Sequence, residues 1–165
     1  MGGGAQGPPG GIESSKIQYE HWEGFSSFGA LDTKIPSFAN QLDIFNAENF
    51  VTLTNNANHG LILTVNELCK LDISFSFRAD GLQQMGLSLN TSNPSLAINS
   101  LPFNEILSYA KVDNTTVSTI VGVCTATLIG RPGDKIRPHV QSNSTPGGIN
   151  NIHFLFTAIK IQETL

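Results

Sequence analysis

The stretch Ile152-His153-Phe154-Leu155-Phe156-Thr157-Ala158-Ile159 constrains this chain more than any other. Successive side chains of a strand point to opposite faces. One parity carries Ile152, Phe154, Phe156 and Ala158; the other carries His153, Leu155, Thr157, Ile159 and then Ile161. An antiparallel strand with one wet face alternates apolar with polar. Here both faces need cover. The chain's own core covers one. A neighbouring loop or a second subunit must cover the other, and we favour the subunit, which places His153, Leu155, Ile159 and Ile161 at a contact between chains.

The rest of the chain also reads as β. Cys69, Leu71, Ile73, Phe75 and Phe77 share one face of an alternating run, and Lys70, Asp72, Ser74 and Ser76 share the other, the pattern of a half-buried strand. Further strands are expected at 42–46, 49–55, 60–65, 84–90, 104–111, 116–129, 135–141 and 151–163, separated by Asn-, Gly- and Pro-rich turns. No 12-residue stretch carries a helical period; a short helical turn fits within 96–108. About nine strands in one domain indicate an all-β sandwich, the class that includes jelly rolls. With 165 residues, the chain is long enough to bury a core without disulfides or a metal.

The N-terminus is different. Gly4, Gly7 and Gly10 keep a Gly-X-Y frame, with Pro8 and Pro9 filling the middle triplet. Only glycine fits at the axis of a collagen triple helix. Glu13 breaks the frame, so the three triplets need a head that clamps three chains together; a plain Gly/Pro linker has the same composition. The expected organisation is a collagen-like stem at 1–12, a polar linker with a helical turn at 13–24 that includes Trp22, and a head at 25–165. In that helical turn Ile17 and His21 share a side.

Charged residues make up only 13% of the chain and the net charge is −4. The nine basic residues form no cluster, which argues against nucleic acid or an anionic membrane as partner. No apolar run reaches the ~20 residues of a membrane span, and no signal-peptide pattern opens the sequence; we expect a chain assembled in the cytoplasm or trimmed beforehand. Cys69 and Cys124 sit inside apolar runs and read as buried free thiols; a disulfide requires their strands to be neighbours.

Catalytic signals are sparse, and no enzyme is expected. No Gly-x-Ser-x-Gly elbow occurs, and Asp32, Asp43, Asp72 and Asp113 read as solvated or turn residues. Asp134, in Pro-Gly-Asp-Lys, reads as a turn residue bonding nearby amides. His21, His59, His139 and His153 show no metal-ligand spacing, although threefold symmetry would gather three copies of His153. No Asp-rich loop suits calcium. No metal or cofactor is expected.

Leu61-Ile62-Leu63-Thr64-Val65 followed by Cys69–Ile73, the turn Leu128-Ile129-Gly130-Arg131-Pro132-Gly133-Asp134-Lys135-Ile136, and the closing Phe154–Ile159 together resemble the jelly-roll heads of the tumour-necrosis-factor-like and complement globular-head superfamily. The sequence departs from it at Glu67-Leu68-Cys69, where members have Gly-x-Tyr. The resemblance implies a homotrimeric head. Met85–Asn90, Ile106–Tyr109 and Gly133–His139 are similar to phage-fibre heads, which implies a virion-surface protein on a tail fibre or capsid. Such a head docks on other virion proteins through the stem (Gly4, Gly7, Pro8, Pro9, Gly10) and meets a host receptor or glycan. The alternatives are an extracellular collagen-like recognition protein and a fibre-borne polysaccharide depolymerase. Loops are the default contact surface: Asn90, Thr91, Ser92 and Asn93; Asp113, Asn114 and Thr115; Ser142, Asn143, Pro146, Gly147 and Gly148. These loops hold three sequons, at Asn90, Asn114 and Asn143, glycosylated in a secreted eukaryotic protein and plain polar loop residues in a phage one.

Overall fold

The computed structural model describes residues 16–25, 27–46, 48–79, 83–112, 120–141 and 149–161. Among the described residues ten strands carry the fold: β1 (Ile17–Gly24), β2 (Asn40–Asn46), β3 (Val51–Asn56), β4 (Gly60–Val65), β5 (Cys69–Ala79), β6 (Gln83–Leu89), β7 (Ile106–Val112), β8 (Ile120–Gly130), β9 (Lys135–Val140) and β10 (Ile149–Lys160). They form two five-stranded antiparallel sheets in the orders β2-β1-β10-β5-β8 and β3-β4-β9-β6-β7. Consecutive strands alternate between sheets through most of the chain, which makes the sandwich a jelly roll. Single 3-10 turns at Ile98–Ser100 and Phe103–Glu105 occupy the region read as a short helical turn.

The alternation in β5 and β10 decides which face of the first sheet is inside. Leu71, Ile73, Phe75 and Phe77 of β5 and Ile152, Phe154, Phe156 and Ala158 of β10 point inward. They meet Leu61 and Leu63 of β4, Met85 and Leu87 of β6, and Ile136 of β9 from the second sheet. Phe38 closes the core edge-on against Phe154, with ring centroids 6.0 Å apart. At the β8–β9 corner, Gly133 takes φ 93, and Asp134 accepts from the Arg131 amide at 2.9 Å. The Asp134 side chain therefore holds the turn, as its sequence context suggests.

Two expectations are corrected. Residues 17–24 are not a polar linker with a helical turn; they form β1, a strand bonded to β2 on one side and β10 on the other. Ile17 and His21 still share a side, because a strand also returns to the same face after four residues. Trp22 packs against the core from within the sheet. The reason for the misreading is that β1 turns polar groups inward: Gln18 and Glu20 are buried. Gln18 Nε2 donates to the Val51 carbonyl and Gln18 Oε1 accepts from the Val51 amide, both at 3.0 Å, tying the two sheets together. Glu20 accepts from Gln18, Trp22 and Gln41 at 3.2–3.3 Å. The other correction is at the end of β10, which stops at Lys160, so Ile161 lies just past the strand.

The cysteines are free and buried. Their strands are neighbours, but Cys69 pairs with Gly130 and Cys124 with Phe75. Six residues along a strand put them about 20 Å apart, far outside disulfide reach.

Candidate functional site

The outer face of the first sheet is built from transverse rows fixed by register. Ile17, Ile159, Lys70 and Ile129 form one row, and Tyr19, Thr157, Asp72 and Thr127 the next. His21, Leu155, Ser74 and Thr125 follow, and then Glu23, His153, Ser76 and Val123. The face is mixed along β1 and β10, with Ile17, Tyr19, Leu155 and Ile159 towards one end and His21, Glu23 and His153 towards the other, and polar along β5. Leu155, Thr157 and Ile159 are half-buried, whereas Phe154, Phe156 and Ala158 behind them are 0% exposed. His153, Leu155 and Ile159 therefore share one open face, and Ile161 continues it past the strand end. A shallow hollow of about 280 Å³ lies over it, lined by Asp72, Ser74, Thr125, Thr127, Leu155 and Thr157 among others.

Further exposed apolar residues lie along the two edges of the sandwich. On the β2 side, Leu42, Ile44 and Phe45 are each about half exposed. On the β7–β8 side, Phe103 is 92% exposed, with Tyr109, Val123 and Ile129 also exposed. A hollow of about 350 Å³ between Asn99, Phe103, Ile106 and Tyr109 marks that side.

The fold joins histidines that spacing kept apart. His21 Nε2 and His153 Nδ1 lie 3.1 Å from each other across β1 and β10. His59 Nδ1 stands 3.1 Å from Asp32 Oδ2, which also accepts from Arg137 Nη1 at 3.1 Å. Burial lowers the Arg137 guanidinium from its ordinary value, and Asp32 acts in the opposite direction. Asp32 is thus a buried ion-pair partner and not solvated, while its carbonyl accepts from the Ile35 amide at 3.0 Å, the turn role its sequence also allowed. Ser88 Oγ lies 2.8 Å from His139 Nε2, and the Leu96 carbonyl 3.0 Å from His139 Nδ1. This resembles a base aimed at a nucleophile, but Ser88 and His139 are both 0% exposed. No substrate reaches them in the folded chain.

The loops sort by end. β1 begins at Ile17, beside Ile159, at the end of the sandwich that also holds Cys69 and Gly130. Asn90 lies at this same end. Its side chain donates to Asp134 Oδ1 at 3.0 Å and accepts from the Lys135 amide at 2.8 Å. Thr91 and Ser92 donate to Glu105 at 2.9 and 3.3 Å, and Thr91 Oγ1 accepts from the Asn93 amide at 3.2 Å. The Asn90, Thr91 and Ser92 side chains are therefore engaged internally, at the end where β1 begins. Asp113, Asn114, Thr115, Ser142, Asn143, Pro146, Gly147 and Gly148 lie outside the described residues, as do Gly4, Gly7, Pro8, Pro9 and Gly10. The strand ends that flank 113–119 and 142–148 are at the opposite end, where Gln83 pairs with Val112 and Ile149 with Ala79. No helix among the described residues is long and apolar enough to cross a membrane.

No protein-family model matches the chain, and no curated protein sequence does. Among solved structures, the fold is similar to the globular domain of zebrafish complement 1qA protein: TM-score 0.57 at 13% identity, over 90% of this chain and 100% of that one. At that identity the likeness is one of fold, an all-β jelly-roll sandwich.

Proposed function

We propose that the chain is the head of a three-chain, extracellular collagen-like recognition protein, with its ligand-contacting surface at the end away from the start of β1. The observation that carries this reading is the unlike sets of exposed apolar residues at the β2 and β7–β8 edges, joined by the open β1–β10 face. Unlike surfaces on opposite edges suit head-to-tail contact, which makes a ring where the rotation closes. The Gly-X-Y frame at Gly4, Gly7 and Gly10 supports three as the number. The likeness in fold to a complement globular domain supports recognition as the role. Met85–Asn90, Ile106–Tyr109 and Gly133–His139 fall largely in β6, β7 and β9, so they are framework and favour no virion setting over an extracellular one.

Light scattering tests association. A particle of three times the 17.7 kDa chain mass is expected, and Leu155→Asp or Tyr109→Asp should shift it towards single chains. A wild-type chain that stays monomeric at micromolar concentration overturns the proposal. Recognition is tested by grafting charged residues into 142–148. Loss of cell-surface or matrix binding with the assembly intact is expected, and unchanged binding refutes the assignment of that end.

A further inference from the structure

We propose that His21 and His153 form a chelating site for a divalent late transition-metal ion, Zn2+ being the type. The two rings come from adjacent strands, with centroids 5.3 Å apart and planes inclined at 45°. They are diagonal neighbours: His21 faces Leu155 in the register, and Glu23 faces His153. Diagonal positions on an antiparallel pair are separated by roughly 7–8 Å, so their rings touch only when they lean towards each other.

The backbone is irregular beside both residues. The β1–β2 register slips between His21 and Trp22, and the β10–β5 register slips between Asn150 and His153. Asn151, within the second slip, takes φ 48, a left-handed conformation that is strained for a residue with a side chain. Bulges re-aim side chains and recur next to functional sites. Two of them on adjacent strands flank this pair.

The distance suits a metal. Zn–N bonds are about 2.0–2.1 Å long. Nitrogens 3.1 Å apart then subtend about 98° at the ion, close to tetrahedral. In the metal-free pair one ring donates its N–H to the other. On chelation the donor ring moves that proton to its outer nitrogen, so both facing nitrogens offer lone pairs and no net proton is exchanged. Imidazole ligands favour zinc, copper and nickel over calcium and magnesium.

The surroundings leave an open site. Glu23, on the same face, supplies negative charge beside His153, and its Oε1 accepts from Asn40 at 3.3 Å. Asp43 is the register partner of His21 on β2. Arg78 opposes these charges; it helps line a hollow of about 290 Å³ against His153, which leaves room for water ligands. Among the described residues no group of three His, Cys, Asp or Glu is placed to hold an ion, so each chain contributes a two-nitrogen chelate. Both ligands belong to one chain, so a single copy supplies the whole chelate, although the pair lies on the β1–β10 face that the proposed association uses.

Calorimetric titration of the full chain with ZnCl2 and CaCl2 tests the assignment. One Zn2+ per chain is expected, with no saturable Ca2+ signal. His21→Gln and His153→Gln should each weaken Zn2+ at least tenfold, the lower end of the roughly 10–100-fold loss seen for outer-shell partners alone. His59→Gln should leave it unchanged. If one variant fails to fold, the other decides, together with the Cu2+ EPR spectrum of the wild type, which should report two nitrogen ligands. Absence of saturable Zn2+ binding, or binding that survives the His21 and His153 substitutions, overturns the proposal.

Discussion

Acid should weaken this fold through His139 by an amount that can be worked out. The ring is 0% exposed. The Leu96 carbonyl can only accept, so Nδ1 carries the proton and Nε2 accepts from the Ser88 hydroxyl. That is the neutral ring. Burial pushes its pKa down from 6.5 to about 4; the Leu96 carbonyl pulls upward, Arg137 pushes further down, and Asp32 and Glu105 pull upward. Between those two values the unfolded chain binds a proton that the folded chain refuses. The stabilisation is therefore complete above about pH 6.5 and is lost progressively as pH falls towards 4. A shift of this size is worth about 3 kcal/mol, a large share of the ~5–15 kcal/mol that holds a typical domain. Urea unfolding of the wild type and of His139→Leu, followed from about pH 7 down to about pH 4.5, isolates this contribution from the carboxylates common to both. The wild type should lose about 2–3 kcal/mol relative to the variant over that range. If the variant does not fold, the ring-proton NMR shift of His139 serves in its place, and it should still report a neutral imidazole at about pH 5. A stability difference that does not change with pH, or a ring that titrates at its ordinary value, refutes the reasoning.

Three further outcomes follow from packing. Gly86→Ala would place a Cβ 2.4 Å from both Ile98 Cγ1 and the Ser108 carbonyl oxygen; a loss of about 1–3 kcal/mol is expected in thermal melts, and an unchanged midpoint would contradict the packing. Gln18→Leu leaves the Val51 amide and carbonyl without their inter-sheet partner, and denaturant unfolding should show a cost of about 2–4 kcal/mol. Cys69 is sealed in the core, where burial and then Glu67 push its thiol up to about 11. A disulfide reagent should modify it only at the rate of unfolding, and rapid labelling of the native chain would show the pocket to be open.

Much of the architecture is legible because apolar alternation is a local signal. Leu71, Ile73, Phe75 and Phe77 announce β5 and its buried face without reference to any other strand. Ile152, Phe154, Phe156 and Ala158 do the same for β10, and the apolar residues on its other parity already ask for a second cover. The Pro-Gly-Asp sequence announces the β8–β9 corner, because the side chain that holds the turn lies within it. β1 was illegible for the opposite reason. Its inward residues, Gln18 and Glu20, are polar, and they are tolerable in the interior only because Val51, Trp22 and Gln41 satisfy them there.

The candidate sites divide along the same line. His153, Leu155 and Ile159 share a face by period alone, so their grouping was readable. Loop composition marked Asn90–Asn93 as a contact surface, but composition carries no information about which end of a sandwich a loop occupies. Strand pairing decides that, and it puts this loop at the end where β1 begins. The sequence by itself determined a β-sandwich with an apolar closing strand. Only the tertiary structure decided that β1 lies beside β10, bringing His21 and His153 from 132 residues apart to 3.1 Å, because a strand's partner is chosen by the whole sheet and not by the residues next to it in the chain.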